Sequence, residues 1–89
     1  MGYHIQDIPR GDFGEASKIA EEAAEFADAV EQGVNIMALV ELADLMGAVR
    51  GYLANHHPDI SIGDLLKMAD VTERAFKDGT RTPRQKKSA

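Results

Sequence analysis

Four carboxylates set in two apolar stretches are the residues best suited to chemistry in this 89-residue chain. Glu22 and Glu25 lie in Glu21-Glu22-Ala23-Ala24-Glu25, and Glu41 and Asp44 lie in Glu41-Leu42-Ala43-Asp44. The members of each pair are three residues apart, so on a helix they project from nearly the same face. Gly33-Val34-Asn35 sits between the two stretches and can turn the chain. If the helices pack antiparallel, all four carboxylates meet in one cleft. Such a cluster repels itself unless something positive sits in it or some of the acids hold protons. A hard divalent cation with oxygen ligands, such as Mg2+, is the usual solution.

Helices must position these acids. The first is expected from about residue 13 to residue 32, where Ile19, Ala23, Phe26, Ala27 and Val30 recur at spacings of three and four and mark a buried stripe. Glu22 and Glu25 fall on the border of that stripe. Asp12 suits the N-cap, with Glu15 closing a capping box, and Gly33 is a good stop. Asn35 suits the cap of a second helix over about residues 36–54. That helix is apolar on nearly every face, with Ile36, Leu39, Val40, Leu42, Met46 and Val49 among its residues. It is therefore expected to be buried on more than one side, which in so short a chain calls for a partner subunit. Glu41 and Asp44 are its only acids, and unpaired burial of an acid is costly. Gly47 and Gly51, four apart, either permit a close helix contact or are incidental.

Asn55-His56-His57-Pro58-Asp59 breaks the second helix. Its adjacent histidines are not at helical ligand spacing and read as surface-loop residues. Ser61 and Asp64 form a capping-box pair for a third helix over about residues 62–77, with Leu65, Leu66, Met68, Ala69, Val71, Ala75 and Phe76 as its apolar face. Lys67 and Arg74 are seven apart and share a face, fitted either to an anionic ligand or to solvent. Residues 1–12, with Pro9 and Gly11, form an arm whose Tyr3, His4, Ile5 and Ile8 pack on the helices or on a partner chain. Residues 80–89 are polar and basic, and are expected to be a mobile tail. The chain is thus one domain over residues 1–89, with an arm (1–12), a helical core (13–79) and a tail (80–89).

Bulk composition narrows the function further. A hydrophobic fraction of 44% excludes a disordered chain. The absence of cysteine excludes a disulfide framework and a thiolate metal site. No apolar run approaches the ~20 residues that span a membrane, and no secretory signal is evident, so a soluble cytoplasmic protein without a membrane partner is expected. The net charge of −5 is unevenly spread: Met1 to Ile60 carry eleven acids and three bases, whereas Ser61 to Ala89 carry four acids and seven bases. The acidic part is unlike a nucleic-acid surface. An acidic centre with a basic tail suits a metal site for a phosphorylated small molecule, or simply solvated helix faces. A di-iron carboxylate bundle is disfavoured, because it needs Glu-x-x-His pairs and the sequence has none.

Together these residues resemble a known family. Lys18-x-x-Glu21-Glu22-x-x-Glu25, followed by Glu41-x-x-Asp44, is similar to the signature of the all-α nucleotide pyrophosphohydrolases. That superfamily includes MazG, the dimeric dUTPases, dCTP pyrophosphatase and phosphoribosyl-ATP pyrophosphohydrolase. Lys67-x-x-x-Val71-x-x-Arg74 is similar to the family's downstream Lys-x-x-x-Asn-x-x-Arg pattern, with Val71 where Asn is usual. Gly14-Glu15-x-x-Lys18 and Phe76-x-x-Gly79-x-Arg81 look like the small MazG-like proteins often encoded by phages. The likeness covers Phe13 to Arg81, while only Met1 to Asp12 stand where the family has a first helix.

The resemblance implies an all-α, MazG-like helical bundle completed by homo-oligomerisation, as a homodimer or homotetramer. It implies Glu22, Glu25, Glu41 and Asp44 as ligands of Mg2+, with Mn2+ as a substitute. Glu21 takes an extra acid position that binds a second metal, orients water or faces solvent. Lys18 resembles a phosphate contact or a salt-bridge partner of the acids, and Lys67 and Arg74 resemble triphosphate contacts. The implied reaction is Mg2+-dependent hydrolysis of a nucleoside triphosphate to a monophosphate and pyrophosphate. Two other readings stand beside it: a catalytically silent homologue that binds nucleotide or a protein partner as a helical dimer, and a structural bundle whose acids are surface charge.

Overall fold

Periodic apolar residues broken by Gly33 and by Pro58 give three α-helices: α1 (Ala16–Gln32), α2 (Asn35–His56) and α3 (Ile62–Asp78). They come from a computed structural model that describes residues 4–78, with the backbone alone for Phe76 and Asp78. Among the described residues there is no strand, so the all-α expectation holds. None of the helices is long and apolar enough to cross a membrane. Tyr3, Gly79, Arg81 and the expected tail over residues 80–89 lie outside the described residues.

The helix ends differ from expectation where side chains are engaged elsewhere. No Asp12–Glu15 capping box forms. Glu15 is itself the N-cap of α1 and makes no side-chain cap, because its carboxylate accepts from Asn55 Nδ2 at 2.9 Å and pairs with His56 Nε2 at 2.9 Å. Asn35 is the first residue of α2, not its cap; Val34 takes that place without a side-chain bond. Helix α2 runs to His56, two residues further than expected. A proline restricts the residue before it, and here that residue is His57, which leaves the helical region with φ −141°. At α3 the capping box forms as expected: Asp64 N–H donates to Ser61 Oγ at 3.1 Å, and Ser61 N–H donates to Asp64 Oδ2 at 2.9 Å.

Gly33 turns α1 into α2. It adopts φ 78°, a left-handed conformation open to glycine, and its N–H closes on Val30 O at 3.0 Å. At the far end of the hairpin, Asn55 Nδ2 donates to Gly14 O at 3.2 Å. The start of α1 is thereby tied to the end of α2, so the two helices are antiparallel. Gly51 is buried under the ring of Phe13, and a Cβ there would collide with it; Gly47 faces open space. Helix α3 meets α2 sparsely and does not meet α1.

The apolar stripe of α1 does not form the core. Ile19 and Phe26 are half-buried, but Ala23, Ala27 and Val30 are exposed. The buried residues of α1 are Glu21, Glu22, Asp28 and Ala29. The buried apolar residues of the whole described chain are Ala29, Ala48 and Leu53. Outward-facing apolar side chains are many: Ile36 is 73% exposed, Leu39 66% and Met68 62%. α1 and α2 therefore meet along a polar seam, and their apolar surfaces point away from it.

The arm lies across that seam, held mainly by hydrogen bonds and not by the apolar packing expected of Ile5, which is 70% exposed. Ile5 N–H donates to Asp28 Oδ2 at 3.1 Å and Gly11 N–H donates to Glu21 Oε1 at 2.8 Å. Gly11 passes so close to α1 that a Cβ would strike the Ser17 carbonyl. Gly11→Ala is therefore expected to release the arm while sparing the helices. Amide exchange checks this: Ile5 should lose protection while the α1 and α2 amides keep theirs, and an Ile5 amide as protected as in the wild type contradicts it.

Candidate metal centre

The antiparallel hairpin brings the two acidic pairs together. One oxygen each from Glu22, Glu41 and Asp44 lie within 4.8 Å of one another, as do one each from Glu21, Glu22 and Glu25. A third such group joins Glu25 and Glu41 to a ring nitrogen of His4. The four carboxylates expected in one cleft fall into overlapping groups linked through Glu22, Glu25 and Glu41, and no one of these groups holds all four. Glu41 is fully buried, Glu22 is buried, Glu25 is half-buried and Asp44 is exposed. Glu22, Glu25 and Asp44 line a cavity of about 670 Å³ together with Glu21, Lys18, Arg10 and His4, whereas the fully buried Glu41 is not among its lining residues.

Several groups offset the crowded charge. Lys18 Nζ lies 3.1 Å from Glu21 Oε1 and 3.1 Å from Glu22 Oε2, and its hydrogen bonds to these two acids raise its pKa. Glu21 does not face solvent. It is buried, and the Gly11 N–H is the main reason its pKa is lowered, with Lys18 adding to the effect. Asp28, at the far edge of the seam, is disfavoured by burial. Hydrogen bonds from His4, Gln32 and Ile5 outweigh this and hold its pKa below the ordinary value.

Glu25 goes the other way. Burial, then the neighbouring charges of Glu22 and Glu41, push its pKa from 4.5 up to about 7. Glu22 Oε1 is buried and accepts no hydrogen bond from the described residues. A buried acceptor without a donor, next to an acid that resists ionisation, is what a carboxylate set looks like when its charge is under-compensated. An oxygen-rich site of this kind fits a hard divalent cation such as Mg2+ or Mn2+.

Other expected residues are placed differently. Lys67 and Arg74 are exposed on α3 and do not line the cavity, and Val71 between them is 62% exposed. His56 is not a loop residue but the last residue of α2, paired with Glu15, and the His57 ring lies 5.8 Å from that of Tyr52. Neither histidine belongs to a metal-competent cluster among the described residues.

Three site residues carried no recognised signal in the sequence. Asp28 continues the three-residue step of Glu22 and Glu25, and that spacing was the available clue. His4 and Arg10 sit in an aperiodic arm, where spacing says nothing about position. Compared with known proteins, the chain matches no family model, no curated protein and no solved structure. The carboxylate geometry thus carries the chemical reading.

Glu25 gives the site a pH signature. An acid with a raised pKa stabilises the fold while it holds its proton, fully below about pH 4.5, and that contribution is lost as pH rises through about 7. Glu25→Gln cannot ionise. In metal-free buffer its melting temperature should gain on the wild type as pH rises from 4.5 to 7, by several degrees. Thermal unfolding of both proteins across that range measures the gap, and a gap that stays constant with pH rules out the shift.

Proposed function

We propose that this chain is a metal-dependent nucleoside triphosphate pyrophosphohydrolase of the all-α, MazG-like kind. The observation that carries the reading is the grouping of Glu22 with Glu41 and Asp44, and of Glu22 with Glu21 and Glu25, beside a cavity that Glu22, Glu25 and Asp44 line, with Glu22 Oε1 lacking a donor among the described residues. These four side chains would hold Mg2+ or Mn2+. A divalent ion bound there offsets the charge of phosphate oxygens and lowers the pKa of water.

The chain's own residues supply the rest. Lys18 and Arg10 line the cavity beside the acids and set positive charge where a polyphosphate would enter. Glu21 fixes Lys18 and, through Gly11, the arm that carries Arg10. A carboxylate of the cluster orients the attacking water and takes its proton. Attack at the α phosphorus breaks the bond to the bridging oxygen, which leaves with pyrophosphate. No serine or cysteine nucleophile is required.

The exposed apolar faces of α1, α2 and α3 support assembly into a homodimer or homotetramer. In that assembly Lys67 and Arg74 would approach the triphosphate from α3 of another subunit. A second reading, a nucleotide-binding homologue without turnover, is favoured by the position of Lys67 and Arg74 outside the cavity.

A panel of nucleoside triphosphates with Mg2+, scored separately for monophosphate and pyrophosphate, separates the two readings. Equimolar monophosphate and pyrophosphate are expected. Glu41→Ala and Asp44→Ala should lose pyrophosphate release by at least about a hundredfold while circular dichroism shows intact helices, since each removes a ligand of the charge-stabilising ion. Nucleotide binding without turnover supports the silent homologue, and undiminished release from either variant refutes the ligand set. Light scattering tests the assembly: the wild type should be at least dimeric and Leu39→Glu mainly monomeric, and a monomeric wild type at tens of micromolar would count against it.

A further inference from the structure

The carboxylate ligand set leaves His4 unused, yet the fold spends a great deal on holding its ring. The side chain is 8% exposed, and Nδ1 lies 2.8 Å from Asp28 Oδ2. The same Asp28 oxygen accepts Ile5 N–H at 3.1 Å and Gln32 Nε2 at 2.9 Å. An ionised carboxylate only accepts hydrogen bonds, so Nδ1 is the protonated nitrogen that faces it. In the neutral ring this leaves Nε2 as the electron-pair donor. Nε2 lies 3.3 Å from Glu41 Oε2 and 3.8 Å from Glu25 Oε1, so the ring points into the acidic cluster and not into solvent. An imidazole oriented by a carboxylate, with its other nitrogen turned to a set of anionic oxygens, is the arrangement that tunes histidine as a metal ligand. Glu22 Oε1, buried and without a donor among the described residues, points independently to a cation in the adjoining groups that Glu22 forms with Glu25 and with Glu41.

We propose that His4 Nε2 is a ligand of the cation held by Glu25 and Glu41, with Asp28 as its positioning residue. The centre is then a mixed nitrogen–oxygen site that takes Mn2+ or another first-row divalent ion in preference to Mg2+. This rests on the carboxylate cluster binding a cation at all. Imidazole suits transition ions, whereas Mg2+ favours oxygen and retains its waters, so the nitrogen donor shifts the selectivity. The arm thereby becomes part of the centre: residues 4–11 are clamped at Asp28 and Glu21, one on either side of the ligand set.

The test is pulsed electron paramagnetic resonance of Mn2+ bound to the full chain, with calorimetric titration of Mn2+ and Mg2+. A 14N modulation from a directly bound imidazole is expected in the wild type. It should persist in a His56→Ala/His57→Ala double variant and vanish in His4→Ala. His4→Ala should bind Mn2+ about tenfold or more weakly, with a smaller loss for Mg2+. Bound Mn2+ without 14N modulation in the wild type overturns the His4 assignment and leaves the carboxylate site standing. No Mn2+ binding at all overturns both. Because the wild-type spectrum needs no variant, the assignment stays falsifiable even if His4→Ala loosens the arm.

Discussion

Carboxylates packed side by side away from water repel one another, and the seam between α1 and α2 places Glu22, Glu25 and Glu41 in that situation. Much of the local structure answers this repulsion. Lys18 bridges Glu21 and Glu22, Gly11 donates to Glu21, and His4 Nδ1 donates to Asp28. Glu25 retains a proton up to about neutral pH. The compensation still leaves Glu22 Oε1 buried without a donor among the described residues. Helices that meet along an acidic face gain nothing from it hydrophobically, so the face is better understood as a site than as a core.

The same constraint turns the hairpin inside out. Residues normally buried between two helices are here polar, and the apolar stripe of α1 together with much of α2 and α3 looks outward. Among the described residues the buried apolar side chains are Ala29, Ala48 and Leu53, which cannot by themselves bury enough surface to order three helices. In the proposed assembly, a second copy covering the outward apolar faces would supply the missing burial. On this view the proposed assembly and the proposed chemistry would have one origin, since reserving the inner seam for acids displaces the hydrophobic surface to the outside.

The helices and the convergence of the acids were legible in the sequence because both depend on periodicity. Three-residue spacing placed Glu22 with Glu25 and Glu41 with Asp44, and Gly33 and Pro58 ended the helices within two residues of where they were expected. Periodicity shows which residues share a face but not which face turns inward, so the stripe through Ala23, Ala27 and Val30 was assigned to the core and proved exposed. Capping was read correctly at Ser61, where the side chain is free to cap, and incorrectly at Asp12 and Asn35. At the start of α1, Glu15 had a distant partner in Asn55 and His56 that local sequence cannot reveal. His4 and Arg10 were missed as site residues for the same reason: an aperiodic arm is positioned only by its long-range contacts.

The central claim is that Glu22, Glu25, Glu41 and Asp44 share one cation. Anomalous diffraction from crystals grown with Mn2+ tests it most directly, because it locates the ion independently of activity. A single strong peak between the two acidic pairs, within about 2.2 Å of carboxylate oxygens from both α1 and α2, is the expected result. An empty seam with these side chains ordered, or manganese bound only at scattered surface acids, would contradict it.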